Sequence, residues 1–573
     1  MMTKCRMKTL ACTWALAITA CTAPPVAPVA FDPLAAAATI TPEAIRADIV
    51  ALASPQFEGR APATPGEDAT VAFITEQFAA AGVAPGISGA YAQPFALAEF
   101  RPDEGGMLAV EGPAGLVPLA PMDDYVLYAG MPAPALAVER SPVVIGGFGI
   151  RAGEASWDDY ADVDLTGATV ILFRGDPGTV TGDPALFGGH ALSEHGLVGA
   201  KTELAARLGA ATVLLVHTDA SAGFPWQTLS GGGASGAQYS LPDGQPRLTL
   251  FAHVSEAAAR RLLAAAGHDY DRVLAASAAP GFSAIETGLL LSGAMSGEVS
   301  SIVTRNVVGM IKGSEAPHEC IVYTAHWDHM GVNPGAETED KLFNGAVDNA
   351  TGTAMLMAIA RAFAGLPEPP RRSVYFFATA AEERGLLGAR HFVEQPPCEI
   401  RNIVAALNMD AHFPYSDRWD AMVVPGLGSS DLTTALEEVA ARYGRVLIDD
   451  PNPAAGGFFR SDHYPFIKAG VPGLYAVGAP TAAQVEADPS IQEGFAWYMA
   501  NGYHHAADEV DQPFPWRVGG LTDDARILFE LGWRLSNSDD WPNFAAGTRW
   551  RTLRDEMRGR YRSATGTRGS SVP

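Results

Sequence analysis

Positive charge is scarce in this sequence of 573 residues. Lys and Arg number 39 against 64 Asp and Glu, which gives a formal net charge of −25 at pH 7. A surface that binds nucleic acid needs clustered basic side chains, so this balance argues against a nucleic-acid partner. The composition has no collagen-like glycine period and is otherwise ordinary. At this length we expect two or more globular units.

The apolar stretch at the N-terminus is too short for an ordinary membrane-spanning helix. It follows Lys4, Arg6 and Lys8 and precedes small residues, a pattern typical of an export signal. The letters ITAC at positions 18–21 resemble a bacterial lipobox, in which cleavage leaves Cys21 as a lipid-modified first residue. A plain secretory signal that happens to contain this cysteine is the alternative. The sequence therefore predicts an exported protein on the periplasmic side, anchored to a membrane through lipid on Cys21.

Cysteine is also scarce, because the whole chain has five. Cys5 and Cys12 would leave with the signal, and Cys21 would carry the lipid. Cys320 and Cys398 then remain in the mature protein, which excludes a disulfide framework. An oxidising compartment allows a single bridge between them, but we expect two buried free thiols.

Changes in composition and apolar periodicity divide the first half of the mature chain into segments. Residues 22–41 are rich in Pro and Ala and lack a periodic apolar face, which predicts a tether. Residues 42–120 begin the next unit with helical spacing up to Ala81, and Gly82 stops that pattern. Residues 121–284 change to short strands and Gly-rich turns.

Within this middle block, residues 164–175 predict a turn into a buried strand, and residues 199–217 predict a helix that leads into another strand. The block contains no cluster of metal-ligand residue types. At the other end of the chain, residues 541–573 form an Arg-rich tail. We expect the last ten or so of its residues to be mobile.

Residues 285–540 alternate buried strands with helices from Arg305 onward. The strands are predicted in the stretches NVVGMI, CIVYTAH, SVYFFAT, IVAALNMD and VPGLYAVG. Continuous apolar strands separated by helices predict an α/β fold, in which a mainly parallel mixed sheet is covered by helices on both faces. In such sheets the functional groups gather beyond the carboxyl ends of the strands.

Histidines and carboxylates lie at these predicted strand ends and in nearby loops. They occur in TAHWDH with His326 and Asp328, NGAVDNATG with Asp348, TAAEERGLLG with Glu382 and Glu383, LNMDAH with Asp410, and GYHHAADEVD with His504 and Asp508. Several ionised carboxylates can be buried together only if cations compensate their charge. Five of these residues, His326, Asp348, Glu383, Asp410 and His504, provide enough ligands for two divalent ions, zinc first and manganese or cobalt second.

The order of these motifs resembles the co-catalytic zinc aminopeptidases, metallopeptidase family 28, which also includes glutamate carboxypeptidase and the transferrin receptor. The resemblance covers about residues 305–511, where RSDHYPF adds to the motifs above, and FEGRAPATPGE at 57–67. It implies a two-zinc exopeptidase acting on peptides. Aminopeptidase activity is favoured because such enzymes are numerous among the secreted bacterial members. Residues 121–284 resemble the protease-associated domain inserted in many members, so a β-rich insert is expected.

The resemblance also implies how the ligands are shared between two ions. Asp348 would bridge them. His326 and Asp410 would bind one ion, and Glu383 and His504 would bind the other.

Further roles follow from the same resemblance. Glu382 would be the general base that activates water. Asp328 would accept the second ring N–H of His326 and so set its tautomer. Asp508 follows His504 by four residues, as in the family, and this spacing selects His504 over the adjacent histidine. The second histidine of the HWDH stretch receives no role.

The substrate pocket is less well defined by the resemblance. Tyr503 precedes the metal-binding histidine, where some members use a tyrosine hydroxyl to stabilise the tetrahedral intermediate; a tyrosine packed under a loop is the alternative. The RSDHYPF stretch would line the pocket with Ser461, Asp462, His463 and Phe466, although its polar residues also suit helix capping.

Three rival functions share parts of this pattern. A glutaminyl cyclase has the same fold but one zinc and lacks the first histidine ligand, whereas this chain has both His326 and Asp410. A carboxypeptidase of the same family would differ only in pocket residues. A non-catalytic binding module of the transferrin-receptor kind would have lost ligands, and none of the motif residues is missing here. The sequence does not indicate an oligomeric state.

The lipobox leads to a prediction about membrane anchoring. We expect the protein produced in a bacterial host to partition with membranes, and Cys21→Ser to release it into the soluble fraction. Thr22 rather than an aspartate follows the cysteine, which in diderm bacteria permits passage to the outer membrane. Fractionation and the mass of the N-terminal peptide provide the measurement. Soluble wild-type protein that has simply lost about 21 residues would contradict the prediction.

Overall fold

The computed structural model describes residues 32–103, 106–230, 236–333 and 339–564. The predicted export signal, Cys21 and the first part of the predicted tether lie outside the described residues, as do residues 565–573 of the tail. Among the helices that the structure describes, none is both long and apolar enough to cross a membrane.

Helices and strands alternate through most of the described chain. The α-helices are α1 (Pro33–Ala37), α2 (Pro42–Leu52), α3 (Pro65–Ala81), α4 (Pro177–Thr181), α5 (Val198–Arg207), α6 (Asp219–Ala222), α7 (Trp226–Ser230), α8 (Glu256–Ala265), α9 (Tyr270–Ser277), α10 (Thr351–Ala364), α11 (Leu387–Glu394), α12 (Asp431–Arg442), α13 (His463–Lys468), α14 (Ala482–Ala487), α15 (Ser490–Trp497), α16 (Gly519–Asn537) and α17 (Arg549–Ala564). The strands are β1 (Ala84–Pro85), β2 (Ala92–Pro102), β3 (Met107–Gly112), β4 (Gly115–Val117), β5 (Tyr125–Ala129), β6 (Ala135–Ile145), β7 (Arg151–Ala152), β8 (Trp157–Asp158), β9 (Thr169–Phe173), β10 (Thr212–His217), β11 (Gln238–Ser240), β12 (Leu250–Ser255), β13 (Ile285–Ile311), β14 (Ala316–His326), β15 (Gly331–Val332), β16 (Leu342–Phe343), β17 (Arg372–Thr379), β18 (Ile403–Asn408), β19 (Ala421–Val424), β20 (Val446–Asp449), β21 (Gly473–Tyr475) and β22 (Val477–Ala479).

The predicted strands of the second half form one sheet in the order β21-β18-β14-β17-β13. The first four strands are parallel to their neighbours, and β13 runs antiparallel to β17. Helices cover both faces of the sheet. Successive side chains of β14 point to opposite faces and therefore pack in different cores. Ile321 and Tyr323 pack with α10 and α16, whereas Val322 packs with α11 and α13. This confirms the predicted α/β fold.

A second unit follows β2 and contains the predicted strand and helix of the middle block. Its strands have the order β13-β6-β9-β10-β12-β5, and β6, β9, β10 and β12 are parallel. Its main core includes residues from Phe100 to Met295, a wider span than the predicted 121–284. The difference arises because β3 and the first part of β13 pair within this sheet. We call this unit the insert.

The strand β13 belongs to both sheets, because it continues for 27 residues. Its first part pairs with β6 and β3 in the insert, and its last residues pair with β17. Between these parts, from Gly297 to Val307, it pairs with β2. The insert also contacts the rest of the chain elsewhere, where Glu194 forms an ion pair with Arg549 at 2.5 Å. The predicted boundary at residue 284 therefore falls at the start of a strand that joins the two units.

Both ends of the described chain pack onto the main unit. Residues 33–41, which the prediction assigned to the tether, form α1 and a turn in which Ala37 and Ile40 are buried. The Arg526 guanidinium donates to the carbonyl oxygen of Ile40. In α17 the buried Arg554 donates to the carbonyl oxygens at the start of β18. Residues 33–37 therefore form a helix where the tether was predicted, and residues 549–564 of the predicted tail form another helix.

The expectation of two free thiols was wrong, because Cys320 and Cys398 form a disulfide. Cys320 lies in β14, and Cys398 lies in the loop before β18, which is the neighbouring strand. This pairing brings the two Cα atoms to 6.6 Å although the residues are 78 positions apart. That distance lies within the range of disulfides. The sequence spacing contains no information about this proximity.

Breaking the disulfide gives a test of stability. We expect Cys398→Ser to lower the free energy of unfolding by about 2–4 kcal/mol, because a long closed loop reduces the entropy of the unfolded chain. Urea unfolding of the metal-free protein without reductant measures the change. Cys320→Ser is the matched control and should give the same loss, since either change removes the same bond. Wild-type stability in both variants would contradict the prediction.

Candidate metal centre

Three of the predicted ligands lie at the same edge of the main sheet. His326 is the last residue of β14, Glu383 follows the end of β17 in a turn, and Asp410 follows the end of β18. These strands are parallel neighbours. Their carboxyl ends therefore meet at one edge, which is where functional groups gather in sheets of this kind.

Two further ligands reach this edge from outside the sheet. Asp348 lies in the turn Ala346–Ala350, directly before α10. His504 lies in the loop after α15 and adopts a positive φ of 58°. The structure therefore brings all five predicted ligands together, including two that do not follow a strand of the sheet.

Asp348 divides this cluster into two halves. Its Oδ1 lies 3.2 Å from His326 Nε2, and its Oδ2 lies 3.3 Å from His504 Nε2. His326 Nε2 is also 3.0 Å from Asp410 Oδ1. His504 Nε2 is also 3.2 Å from Glu383 Oε2. Each half thus combines one imidazole, one carboxylate of its own and one oxygen of the shared Asp348.

The residues of the cluster fit divalent cations. The side chains of Asp348, Glu383 and Asp410 are 7%, 4% and 15% exposed, and so much buried negative charge needs a compensating cation. Ligand atoms of His326, Asp348 and Glu383 lie within 4.8 Å of one another, as do those of His326, Glu382 and Asp410. Mixed imidazole and carboxylate donors suit zinc. The donor set is therefore that of a zinc site.

The adjacent Glu382 and Glu383 differ in their electrostatic surroundings. Burial raises the pKa of Glu382 well above its usual range. Burial acts in the same direction on Glu383, but the charge of His504 and the hydrogen bond from His329 hold its pKa well below the usual range. Glu383 thus favours the ionised form that a metal ligand requires, and Glu382 favours a form that holds a proton.

Asp328 supports the site through different atoms from those predicted. The Nδ1 atom of His326 lies 3.1 Å from the backbone carbonyl oxygen of Asp328 and 4.0 Å from its carboxylate. The chain leaves the strand directly after His326, which brings the carbonyl nearer to the ring than the side chain. The Asp328 carboxylate instead accepts the backbone N–H of Glu382 at 3.0 Å. Asp328 therefore fixes both the His326 ring and the turn that contains Glu382.

Asp508 holds the turn that contains Asp348. Its carboxylate accepts the backbone N–H groups of Val347 at 2.9 Å and Asp348 at 3.0 Å. Its backbone carbonyl accepts from Ala346. Burial raises the pKa of Asp508 to about 7. Asp508 thus positions the shared ligand Asp348 by binding the backbone of the turn that contains it.

Arg60 has a structural role that the sequence analysis missed. It is buried, and its guanidinium donates to the carbonyl oxygens of four residues, Leu52, Trp327, Asn344 and Gly345. These bonds connect the N-terminal helices to the loop after His326 and the loop before Asp348. Arg60 lies in the FEGRAPATPGE stretch, which resembles the family although it lies outside the catalytic sheet. A charged residue in such a stretch could have indicated this structural role.

A cavity of about 1200 Å³ opens beside the ligands and is lined on its other side by the insert. It is also lined by three tyrosines of the main unit, Tyr464, Tyr475 and Tyr503. The ring of Tyr503 stacks on His504 with 4.0 Å between the centroids. The Tyr475 hydroxyl donates to the carbonyl oxygen of Asp410 at 3.0 Å; the sequence analysis gave this tyrosine no role. The cavity provides space for a substrate next to the metal ligands.

One of the four predicted pocket residues lines this cavity. Ser461 does so, and its hydroxyl donates to Asp410 Oδ2 at 2.5 Å. The other three, Asp462, His463 and Phe466, are buried and do not line this cavity. Asp462 accepts a hydrogen bond from the Thr379 hydroxyl at the end of β17.

Helical geometry explains why His463 and Phe466 turn away from the cavity. Tyr464, Pro465 and Lys468 of α13 line the cavity, and their spacing of three and four residues places them on one face. Phe466 lies on the opposite face and packs in the core that contains Val322. The motif letters could not show which face of this short helix is buried.

Comparison with known proteins shows the fold of the chain and a family model that part of the chain matches. An aminopeptidase from Aneurinibacillus sp. strain AM-1 shares the fold with a TM-score of 0.53 at 18% identity, and the match covers 89% of this chain and 97% of that one. Residues 306–525 match the model of peptidase family M28. The matched segment contains the five ligands.

Curated relatives match over shorter segments. The chain is 29% identical to aminopeptidase YwaD of Bacillus subtilis (strain 168) over 198 residues, which cover 34% of this chain and 38% of YwaD. It is 36% identical to a probable zinc metalloprotease of Pyrenophora teres f. teres (strain 0-1) over 104 residues, which cover 18% of this chain and 22% of that protein. The match thus spans less than half the length of these relatives.

The two faces of α13 lead to a prediction that distinguishes residues of the core from residues that line the cavity. We expect Phe466→Ala to lower the free energy of unfolding by about 3–5 kcal/mol, because it leaves a cavity in the core. Lys468→Ala, on the cavity face, should change it by less than about 0.5 kcal/mol. Urea unfolding of both metal-free variants checks this. Equal stability of the two would show that Phe466 does not belong to the core.

Proposed function

We propose that the protein is a two-zinc exopeptidase, an aminopeptidase that removes N-terminal residues from peptides. The position of Asp348 carries the proposal, because its two oxygens face His326 and His504 separately, at 3.2 and 3.3 Å. A pair of ions needs one bridging carboxylate with further ligands on each side. The match of residues 306–525 to the model of peptidase family M28 and the similarity to aminopeptidase YwaD support a peptide substrate.

Each half of the cluster would hold one ion. His326 and Asp410 would bind the first, Glu383 and His504 the second, and Asp348 both. Zinc bound there would provide the Lewis acidity that lowers the pKa of a water molecule and polarises the scissile carbonyl.

Glu382 would be the general base. Its backbone is fixed by Asp328, and its side chain lies beside His326 and Asp410 at the cavity. Burial raises the pKa of this carboxyl group, and a raised pKa makes a carboxylate a stronger base toward the attacking water. Glu382 would take the proton of the attacking water and deliver it to the leaving amine.

The remaining groups support an exopeptidase. The Tyr503 hydroxyl would donate to the oxyanion of the tetrahedral intermediate, since this tyrosine lines the cavity beside His504. The insert covers the cavity on the side opposite the ligands. A cavity of about 1200 Å³ that the insert lines on one side suits the end of a peptide better than the middle of a folded chain.

Two parts of the proposal rest on sequence resemblance. The insert is proposed to be a protease-associated domain because of the likeness in residues 164–175 and 199–217. The enzyme is proposed to act outside the cytoplasm as a periplasmic-side lipoprotein, because residues 1–21 resemble a signal that ends in a lipidated Cys21.

The pair of adjacent glutamates provides the test. Glu382→Gln keeps the size of the side chain but cannot accept a proton. It should therefore retain bound metal and lower turnover by roughly 10²–10⁴-fold, the contribution of a positioned general base. Glu383→Gln removes an anionic ligand, so it should lower metal affinity and recover part of its activity with added zinc or cobalt. Bound metal and turnover of a leucyl anilide are measured for both variants under identical conditions.

Each contrary outcome identifies a different error. Loss of metal in Glu382→Gln with retention in Glu383→Gln would reverse the two assignments. Full activity in both variants would place the reaction elsewhere. One ion per wild-type chain would favour a cyclase. Equal hydrolysis of substrates with free and blocked N-termini would exclude aminopeptidase specificity.

A further inference from the structure

We propose that His329 is a positioning residue that determines which oxygen of Glu383 faces the metal centre. It would thereby set the affinity of the ion that Glu383 and His504 share. The inference rests on the proposed two-ion function and deepens it. It names a group that acts on one ion and leaves the other unaffected.

The hydrogen bond between His329 and Glu383 carries the inference. The Nδ1 atom of His329 lies 2.7 Å from Glu383 Oε1. An ionised carboxylate only accepts hydrogen bonds, so Nδ1 must be the donor. The other oxygen, Oε2, lies 3.2 Å from His504 Nε2. With Oε1 engaged by His329, Oε2 is the oxygen that remains for an ion.

The His329 ring is held in this orientation by its surroundings. It is fully buried, and its Nε2 meets no hydrogen-bond partner among the described residues. Gly345 packs against the ring so closely that an added Cβ atom would lie 2.5 Å from its Cγ. The ring also contacts His504 edge-on, with 6.1 Å between the centroids. The one polar contact of the imidazole in the described structure is therefore the bond to Glu383.

The other half of the cluster is arranged differently. Asp410 Oδ1 faces His326, and its Oδ2 accepts from the Ser461 hydroxyl at 2.5 Å. A rotatable hydroxyl thus orients the carboxylate of one half, and a packed imidazole orients the carboxylate of the other. Because the two donors act on different carboxylates, Ser461→Ala is a matched control for changes at His329.

Three substitutions separate the hydrogen bond from the volume of the ring. His329→Leu removes the donor. His329→Asn places an amide N–H near the position of Nδ1, and His329→Gln places it near Nε2, which does not face Glu383. Loss of a hydrogen bond to a metal ligand costs roughly 10–100-fold in metal affinity. We expect that loss for one ion in the Leu and Gln variants and near wild-type affinity in the Asn variant.

Two ligand variants identify which ion is affected. Zinc affinity is measured by competition with a chelator, and bound zinc is counted by mass spectrometry. In His326→Ala the ion held by Glu383 and His504 remains, and His329→Leu should weaken it. In His504→Ala the other ion remains, and His329→Leu should leave its affinity unchanged. Ser461→Ala should give the reverse pattern, since independent sites behave additively.

The outcomes distinguish failure of the inference from failure of the proposed function. Equal weakening of the remaining ion in both backgrounds, or an Asn variant as weak as the Leu variant, would show that His329 acts only by packing. Circular dichroism of the metal-free forms checks folding. If the Leu variant does not fold, the Asn and Gln pair carries the comparison. Fewer than two zinc ions in the wild-type chain would instead refute the two-ion function.

Discussion

The architecture of the main unit depends on one constraint, the concentration of carboxylates at a single edge of a buried sheet. Asp348, Glu382, Glu383 and Asp410 converge there, and charges in such a place are costly unless each is held and compensated. Much of the surrounding polar structure serves this end. Arg60 binds the carbonyl groups of the adjacent loops. The Ser461 hydroxyl donates to Asp410, and His329 donates to Glu383.

This support works largely through the backbone. Asp508 orients Asp348 by accepting backbone N–H groups, and Asp328 orients His326 through its own carbonyl. The loops that present the ligands therefore cannot move independently of the residues behind them. A change at such a supporting residue should act on the geometry of several ligands together, which is why selective effects are expected only at direct contacts such as His329 and Ser461.

The sequence predicted what depends on periodicity and order. Apolar runs located β14, β17 and β18, and the residues directly after them supplied His326, Glu383 and Asp410. Features that depend on contacts between different helices and strands could not be predicted from the sequence. The Cys320–Cys398 bond depends on the register of two strands. The burial of Phe466 depends on the orientation of a six-residue helix. The hydrogen bond from His329 to Glu383 joins residues that follow two different strands. Resemblance identified the ligand motifs but left these contacts undetermined.

The continuity of β13 has a mechanical consequence. The chain passes between the two sheets twice, as β2 and β13, and the two passages are hydrogen-bonded to each other from Gly297 to Val307. A paired ribbon resists the sharp change in backbone angles that a loop hinge absorbs. The ion pair of Glu194 with Arg549 fastens the insert at a second point. The part of the cavity wall that the insert contributes is therefore held to the main unit at two separate places, which restrains its movement relative to the metal ligands.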